Sequence, residues 1–342
     1  MGDSGRRVES PRSPRLILNF FSASLGSQTG YNQSWVRGSK GLKRLIVNAD
    51  DFGYTRGVNR AIAESCRNGV VTSTSLLANG AAFEAAVETA RAEPRLDVGC
   101  HLNFVEGRPV SPPQQIPHLV GSSGRFFHAW QLAARLLLRA VPESEIEREA
   151  SAQIEKLLQA GIRVSHVDTH QHTHSHPAVV RAIARAARRY GIRWMRRPFE
   201  NFLPRSARRL SAKRFLNSSL SLLAPSFERR MAAMGMVIPD FFTGILLTGR
   251  LTRQAFAEIL TTLPPGVTEV MCHPGYCDEE LRGSSTRLRQ EREVERKTVS
   301  DGTWLARAQE LGIDLTSFGS NDPRCEERAV APSEVPAGAF RE

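Results

Sequence analysis

The stretch LIVNADDFGY occupies residues 45–54. Its apolar start predicts a buried strand. The strand ends on two adjacent carboxylates, Asp50 and Asp51, followed by Phe52 and Gly53. Unpaired carboxylates are costly near a core, and neighbours repel, which raises the pKa of one of them. Either the pair is exposed at a turn or a cation sits between the two. Outward from this stretch, strand-like and helix-like segments alternate. TRGVNRAIAESCRNG has apolar residues at helical spacing and closes on Gly69, VVTSTSLLAN is strand-like, AAFEAAVETARAEP is a helix stopped by Pro94, and LDVGCHLNF is a strand. The helix PESEIEREASAQIEKLLQAG stops at Gly161. Strand RVSHVDTH, helix PAVVRAIARAARRYG, strand IRWMRR, helix TRQAFAEILTTLP and strand TEVMCHPG follow, then one helix across residues 285–312 and strand IDLTSFG.

This alternation predicts right-handed βαβ crossovers and a parallel sheet. About seven such units suit an irregular TIM-like (β/α) barrel better than a small open sheet. The fold class is therefore α/β, with a single catalytic domain over residues 42–320. Residues 1–41 read as a disordered or weakly ordered leader and 321–342 as a disordered tail. Residues 198–245 break the alternation and read as an irregular basic insertion.

The 342 residues are 41% hydrophobic and 24% charged, as in an ordinary globular chain. No apolar run approaches the roughly 18 residues that a membrane helix needs. Five scattered cysteines form no CxxC pair, which fits a reducing, cytoplasmic setting. A secretory signal at LILNFFSASLG is an alternative reading. The net charge of +11 gathers in residues 181–215. That is either a set of solvated helix faces or an attraction to phosphate groups, on an anionic membrane, a phospho-linked substrate or a nucleic acid. Nucleic acid is the weakest of these, since the chain lacks a zinc finger, an RRM aromatic pattern and an evident helix-turn-helix.

In a parallel barrel the chemistry sits at the C-terminal ends of the strands. Asp50 and Asp51 fall there, as do His101, the histidines of HVDTHQHTHSH and His273. In HVDTHQHTHSH the polar residues recur every second position, which puts those near the strand on one face. Imidazoles with a carboxylate suit Zn²⁺ or another borderline divalent ion, and two histidines plus one carboxylate leave positions open for water and substrate. Such an ion resolves the Asp50–Asp51 conflict: one aspartate binds it, and the other stays close as a general base.

The stretches LIVNADDFGYTRGVNRAI, NGVVTSTSLLANG, DVGCHLNFVEGRPV, HVDTHQHTH and EVMCHPGYCDEEL resemble the YdjC-like carbohydrate deacetylase family, which includes chito-oligosaccharide deacetylases and a hopanoid-biosynthesis-associated branch. The resemblance implies a TIM-barrel-like fold, one divalent metal ion and hydrolysis of an N-acetyl group from a sugar. It implies Asp51, His101 and His170 as metal ligands, Asp50 as general base and His273 as general acid or oxyanion-stabilising group. Asp168 would support the ligands, and His172 and His174 match further histidine positions. The family's ion is often magnesium, whereas two imidazoles favour zinc, so both remain candidates.

The arginines of IRWMRRPFE place Arg193 or Arg196 near the pocket, where one could pair with Asp50. Tyr276 and Trp194 are candidates for stacking on a sugar ring or for packing. Cys100 and Cys272, each one position before a site histidine, should face the core. EREVERKTVSD reads as an exposed helix face of i, i+4 pairs. Three alternatives stay open: the same chemistry on a lipid- or phosphate-linked acetylated sugar at the inner membrane surface, a non-catalytic glycan-binding barrel, and a metal phosphoesterase. Oligomeric state is left open.

Overall fold

Parallel pairing organises the chain. The computed structural model describes residues 41–200, 204–205 and 223–321. The leader and tail lie outside the described residues apart from Gly41 and Asn321, as does most of the basic run in 203–215. The described elements, in chain order, are β1 (Lys43–Phe52), α1 (Arg56–Asn68), β2 (Ser73–Leu76), α2 (Phe83–Ala92), β3 (Asp97–Leu102), α3 (Ala129–Leu137), α4 (Glu143–Gln159), β4 (His166–Thr169), α5 (Pro177–Arg189), β5 (Trp194–Met195), α6 (Ala224–Ala233), β6 (Phe241–Thr243), α7 (Arg253–Thr262), β7 (Gly266–Cys272), α8 (Glu279–Gly283), α9 (Gln290–Val299), α10 (Thr303–Glu310) and β8 (Ile313–Leu315). Among the described residues the strands form one parallel sheet in the order β5-β4-β3-β2-β1-β7-β6, with β8 beside the start of β1. Trp194 of β5 also bridges Val237 in parallel, so the chain leading into β6 touches the far end of the sheet. The architecture is the expected irregular barrel.

Strand alternation sorts β1 into two faces. Leu45, Val47 and Ala49 pack outward into the main core with the helices, while Ile46 joins Trp194, Val267 and Phe318 in a separate apolar floor. Trp194 is thus a packing residue. Further along the strands the interior turns polar: Asn48, Ser75, His166, Asp168, Arg196 and Glu269 are all fully buried. Gly99 makes room for this layer, because a Cβ there would lie 2.3 Å from the His166 ring. Among the covering helices, α5 starts with Pro177 at a position where its missing N–H costs nothing, and it buries Val179, Val180 and Ile183. Each such side chain stabilises the fold by about 1.5–3 kcal/mol.

Three elements differ from expectation. The helix expected across 285–312 is two, α9 and α10, separated at Ser300–Gly302, where the Trp304 Nε1–H donates to the Thr298 carbonyl and folds the chain back. The stretch 198–245 contributes a strand, β6, to the sheet, and α6 precedes it. Helix α3 was not expected, because its apolar residues do not form a one-sided stripe.

Candidate metal and catalytic site

Asp50 and Asp51 reach one pocket because β1 carries a bulge. Against β2, Ala49 pairs with Thr74 and Phe52 with Leu76, so three steps on β1 match two on β2. The extra residue puts Asp51 at φ +68°, a left-handed conformation that aspartate tolerates better than most residues. The Tyr54 N–H closes the turn on the Asp51 carbonyl at 3.0 Å, and α1 pins it from outside, with the Gly53 N–H donating to Asn59 Oδ1 at 2.7 Å. Thr55 then caps α1 by accepting from the Val58 N–H.

The two carboxylates have separate cations. Arg196, just beyond β5, donates to both oxygens of Asp50 at 2.6 and 2.7 Å, lies 2.9 Å from Asp168 Oδ2, and donates through Nε to Glu269 at 2.7 Å. Burial alone would raise the pKa of Asp168, but Arg196 and His101 hold it well below the usual carboxylate range. Burial pushes Glu269 up to about 8 despite Arg196. Arg292 of α9 approaches Asp51 Oδ2 at 2.5 Å. Although burial opposes it, Arg292 and His170 bring the pKa of Asp51 well below normal.

The other oxygen, Asp51 Oδ1, is buried, makes no well-aligned hydrogen bond, and faces two imidazole nitrogens. It lies 3.1 Å from His170 Nδ1 and 3.5 Å from His101 Nε2, and those two nitrogens are 3.3 Å apart. Donors on adjacent corners of a first-row metal polyhedron are about 3.0–3.5 Å apart when each bond is about 2.1 Å. The three atoms therefore fit one ion. His101 Nδ1 donates to Asp168 at 2.7 Å, which leaves Nε2 with its lone pair toward Asp51. His170 Nε2 faces Glu106 at 3.7 Å. Burial favours neutral His170, but Asp51 and Glu106 push it up to about 10, so without an ion the position demands a proton. A second grouping of Asp50, His101 and Asp168 is also close enough for a metal, but there Arg196 already supplies the cation.

His273, directly after β7, places Nε2 4.0 Å from Asp50 Oδ2. Its backbone N–H donates to Glu295 Oε2 at 2.5 Å, and its ring Nδ1 faces the same oxygen at 3.8 Å. Burial disfavours the charged ring, but Glu295, Asp50 and Asp51 raise its pKa above the ordinary histidine value.

A profile described as YdjC-like protein matches residues 44–310. The chain belongs to the YdjC-like family. Proteins named carbohydrate deacetylase resemble it along most of their length: one from Geobacillus stearothermophilus is 34% identical over 80% of this chain and 96% of its own, and one from Brevibacillus brevis is 36% identical over 80% and 98%. A solved structure from Enterococcus faecalis V583, named for cellobiose-phosphate cleavage, superposes with a TM-score of 0.66 at 26% identity, covering 82% of this chain and 99% of that one.

Other expected residues of this YdjC-like chain lie around the triad. After β4 the period-two pattern of HVDTHQHTHSH ends in a 3₁₀ turn, His170–Ser175, with Gln171 and His172 left-handed at φ +54° and +52°. His172 consequently lies beside Phe242 and His174 and outside the triad. Burial and Arg196 hold its pKa well down. His174 is a cross-brace: the Thr169 hydroxyl donates to Nδ1 at 2.6 Å, and Nε2 donates to the Arg196 carbonyl at 3.2 Å. Burial lowers it to about 3, so it is neutral. Tyr276 sits between the guanidinium groups of Arg60 and Arg296, 4.0 and 4.3 Å from its ring centre, with its hydroxyl on Glu64. That is the packing alternative. Cys100 and Cys272 lie in the main core.

Sequence reasoning missed Glu269, Arg292, Glu295 and Glu106. The EREVERKTVSD helix was read as an exposed face, yet Arg292 and Glu295 are 2% and 1% exposed. The basic face of α5 is also committed: Arg181, Arg185 and Arg189 pair with Glu143 and Glu147 of α4. Beside His170 a cleft of about 330 Å³ is lined by Tyr54, Asn79, Asn103, Glu106, Arg125 and Glu280 among others. No described helix is long and apolar enough to cross a membrane.

Proposed function

We propose that this chain is a metal-dependent carbohydrate deacetylase that hydrolyses the N-acetyl group of a sugar. The observation that carries the reading is the convergence of Asp51 Oδ1, His101 Nε2 and His170 Nδ1 within 3.5 Å of one another, with Asp50 and His273 close by. The relatives named carbohydrate deacetylase support it.

Asp51, His101 and His170 would hold the ion, either magnesium or zinc; when bound, it supplies Lewis acidity toward water and the acetyl carbonyl. Asp50 accepts the proton of the attacking water, and Arg196 fixes both of its oxygens so that one orientation is maintained. His273, whose hold on its proton Glu295 strengthens, delivers a proton to the leaving nitrogen as the C–N bond breaks. Acetate and a free amino sugar result. Asp168 orients His101 through Nδ1. The cleft beside His170 takes the sugar.

An acetate-release screen over N-acetylated mono-, oligo- and lipid-linked sugars, with and without chelator, tests the reading. Phosphate release is followed in parallel, because the Enterococcus relative is named for a phosphorylated disaccharide. Asp50→Asn should lower kcat about 10²–10⁴-fold while zinc or manganese still binds. Retention of most activity in that variant removes Asp50 as the base.

A further inference from the structure

We infer that α3 is a docking surface for an anionic lipid bilayer, placed at the mouth of the site. The inference rests on the deacetylase reading for the chemistry beside the patch and adds where that chemistry takes place, at a membrane surface.

Helix α3 is apolar on two sides. Leu132 and Leu136 are buried against the core. On the other side Trp130, Leu137 and Leu138 are 71%, 77% and 79% exposed, the three highest values among the large exposed apolar residues described. Ala133 and Ala134 between them are exposed too. A helix that is apolar all round needs a second cover, and a contiguous apolar patch marks an interaction site.

The surrounding charge specifies the cover. Residues 108–142 contain Arg108, Arg125, Arg135 and Arg139 and not one Asp or Glu; of the two histidines there, His118 is held by Glu145 of α4 and adds no free charge. None of those four arginines forms an ion pair among the described residues, in contrast to the arginines of α5. Exposed tryptophan and leucine, with Arg135 on the same helix and Arg139 just after it, neither in an ion pair, complement an anionic membrane interface, where apolar side chains enter the headgroup boundary and guanidinium groups meet phosphates. The patch adjoins the chemistry through the segment joining β3 to α3, whose Glu106 and Arg125 line the cleft beside His170. A bilayer against α3 would thus present its headgroup sugars to that cleft.

The test uses the full chain and vesicles of phosphatidylcholine, alone or with one-third phosphatidylglycerol, at low and high salt. The wild type should sediment with the anionic vesicles at low salt, stay free of the neutral ones, and be released by salt. Trp130→Ser with Leu137→Ser and Leu138→Ser should lose about tenfold or more in partitioning, and Arg139→Gln should weaken it less. Quenching of fluorescence by brominated lipid should be reduced by Trp130→Phe. Acetate release from a water-soluble sugar should be unchanged in all three variants. Absence of vesicle binding by the wild type, equal binding by the triple variant, or a solution dimer that the triple variant breaks would each overturn the inference. Intact acetate release without vesicle binding sinks this inference alone, whereas vesicle binding without acetate release sinks the deacetylase reading.

Discussion

Arg196 faces three carboxylates, and one guanidinium cannot neutralise them all. Asp168 remains charged, with its pKa held far down, while Glu269 is pushed up to about 8 and is protonated at neutral pH. Its folded pKa exceeds the ordinary value of 4.5, so its contribution to stability is complete below that value and is lost as pH rises through about 8. Glu269→Gln removes the titration, so denaturant unfolding should show the variant gaining on wild type between pH 5 and 8.5. A stability difference that is constant with pH rules this out. Arg292 acts on the other aspartate. At the proposed metal site it and the ion would compete for the charge of Asp51, so Arg292→Gln should destabilise the metal-free protein yet bind manganese about tenfold or more tightly by calorimetry. Weaker binding would mean that Arg292 only shapes the pocket.

A single turn of α9 serves both halves of the site: Arg292 reaches Asp51, and Glu295, three residues on, holds His273. In sequence these two are indistinguishable from their neighbours, because charged residues at helical spacing look alike whether they face solvent or a barrel mouth. Only the fold brings α9 over the end of β1. Much else was legible, because it depends on local pattern: apolar runs ending in Asp50, His101 and His273 marked the strands and the end at which the polar residues gather. The bulge in β1 was not legible, since it is defined by the register against β2. Glu269 did leave a signal, a lone acid inside an apolar strand, two residues from Val267 on the inward face. Since Glu295 helps to raise the pKa of His273, Glu295→Gln should lower it and leave less imidazolium at a given pH. The alkaline limb of the kcat/KM profile should therefore move to lower pH, with kcat falling and KM nearly unchanged. A uniform loss at every pH would assign Glu295 a purely structural role through Gly249 and the His273 backbone.

Across the molecule, the barrel gathers buried acids from β1, β4 and β7 toward one end, and helices, strand ends and loops return cations to them: Arg196 beyond β5, Arg292 on α9, and His170 after β4. The first two are permanent charges. His170 is the exchangeable one, pushed up to about 10 by Asp51 and Glu106 despite its burial. An ion held by His170, as proposed, would have to displace that proton, so apparent affinity should rise about tenfold per pH unit between pH 6.5 and 8.5 if one proton leaves. Calorimetry in buffers of different ionisation enthalpy should count about one proton released per manganese or zinc bound. Stability of the metal-free protein should follow the same group. The His170 contribution is complete below the ordinary histidine pKa and is lost as pH rises through about 10, so the increase in Tm on adding metal should grow toward alkaline pH. Affinity that is flat over this range, with no proton released, would place the balancing charge elsewhere and would remove His170 as the proton-exchanging ligand.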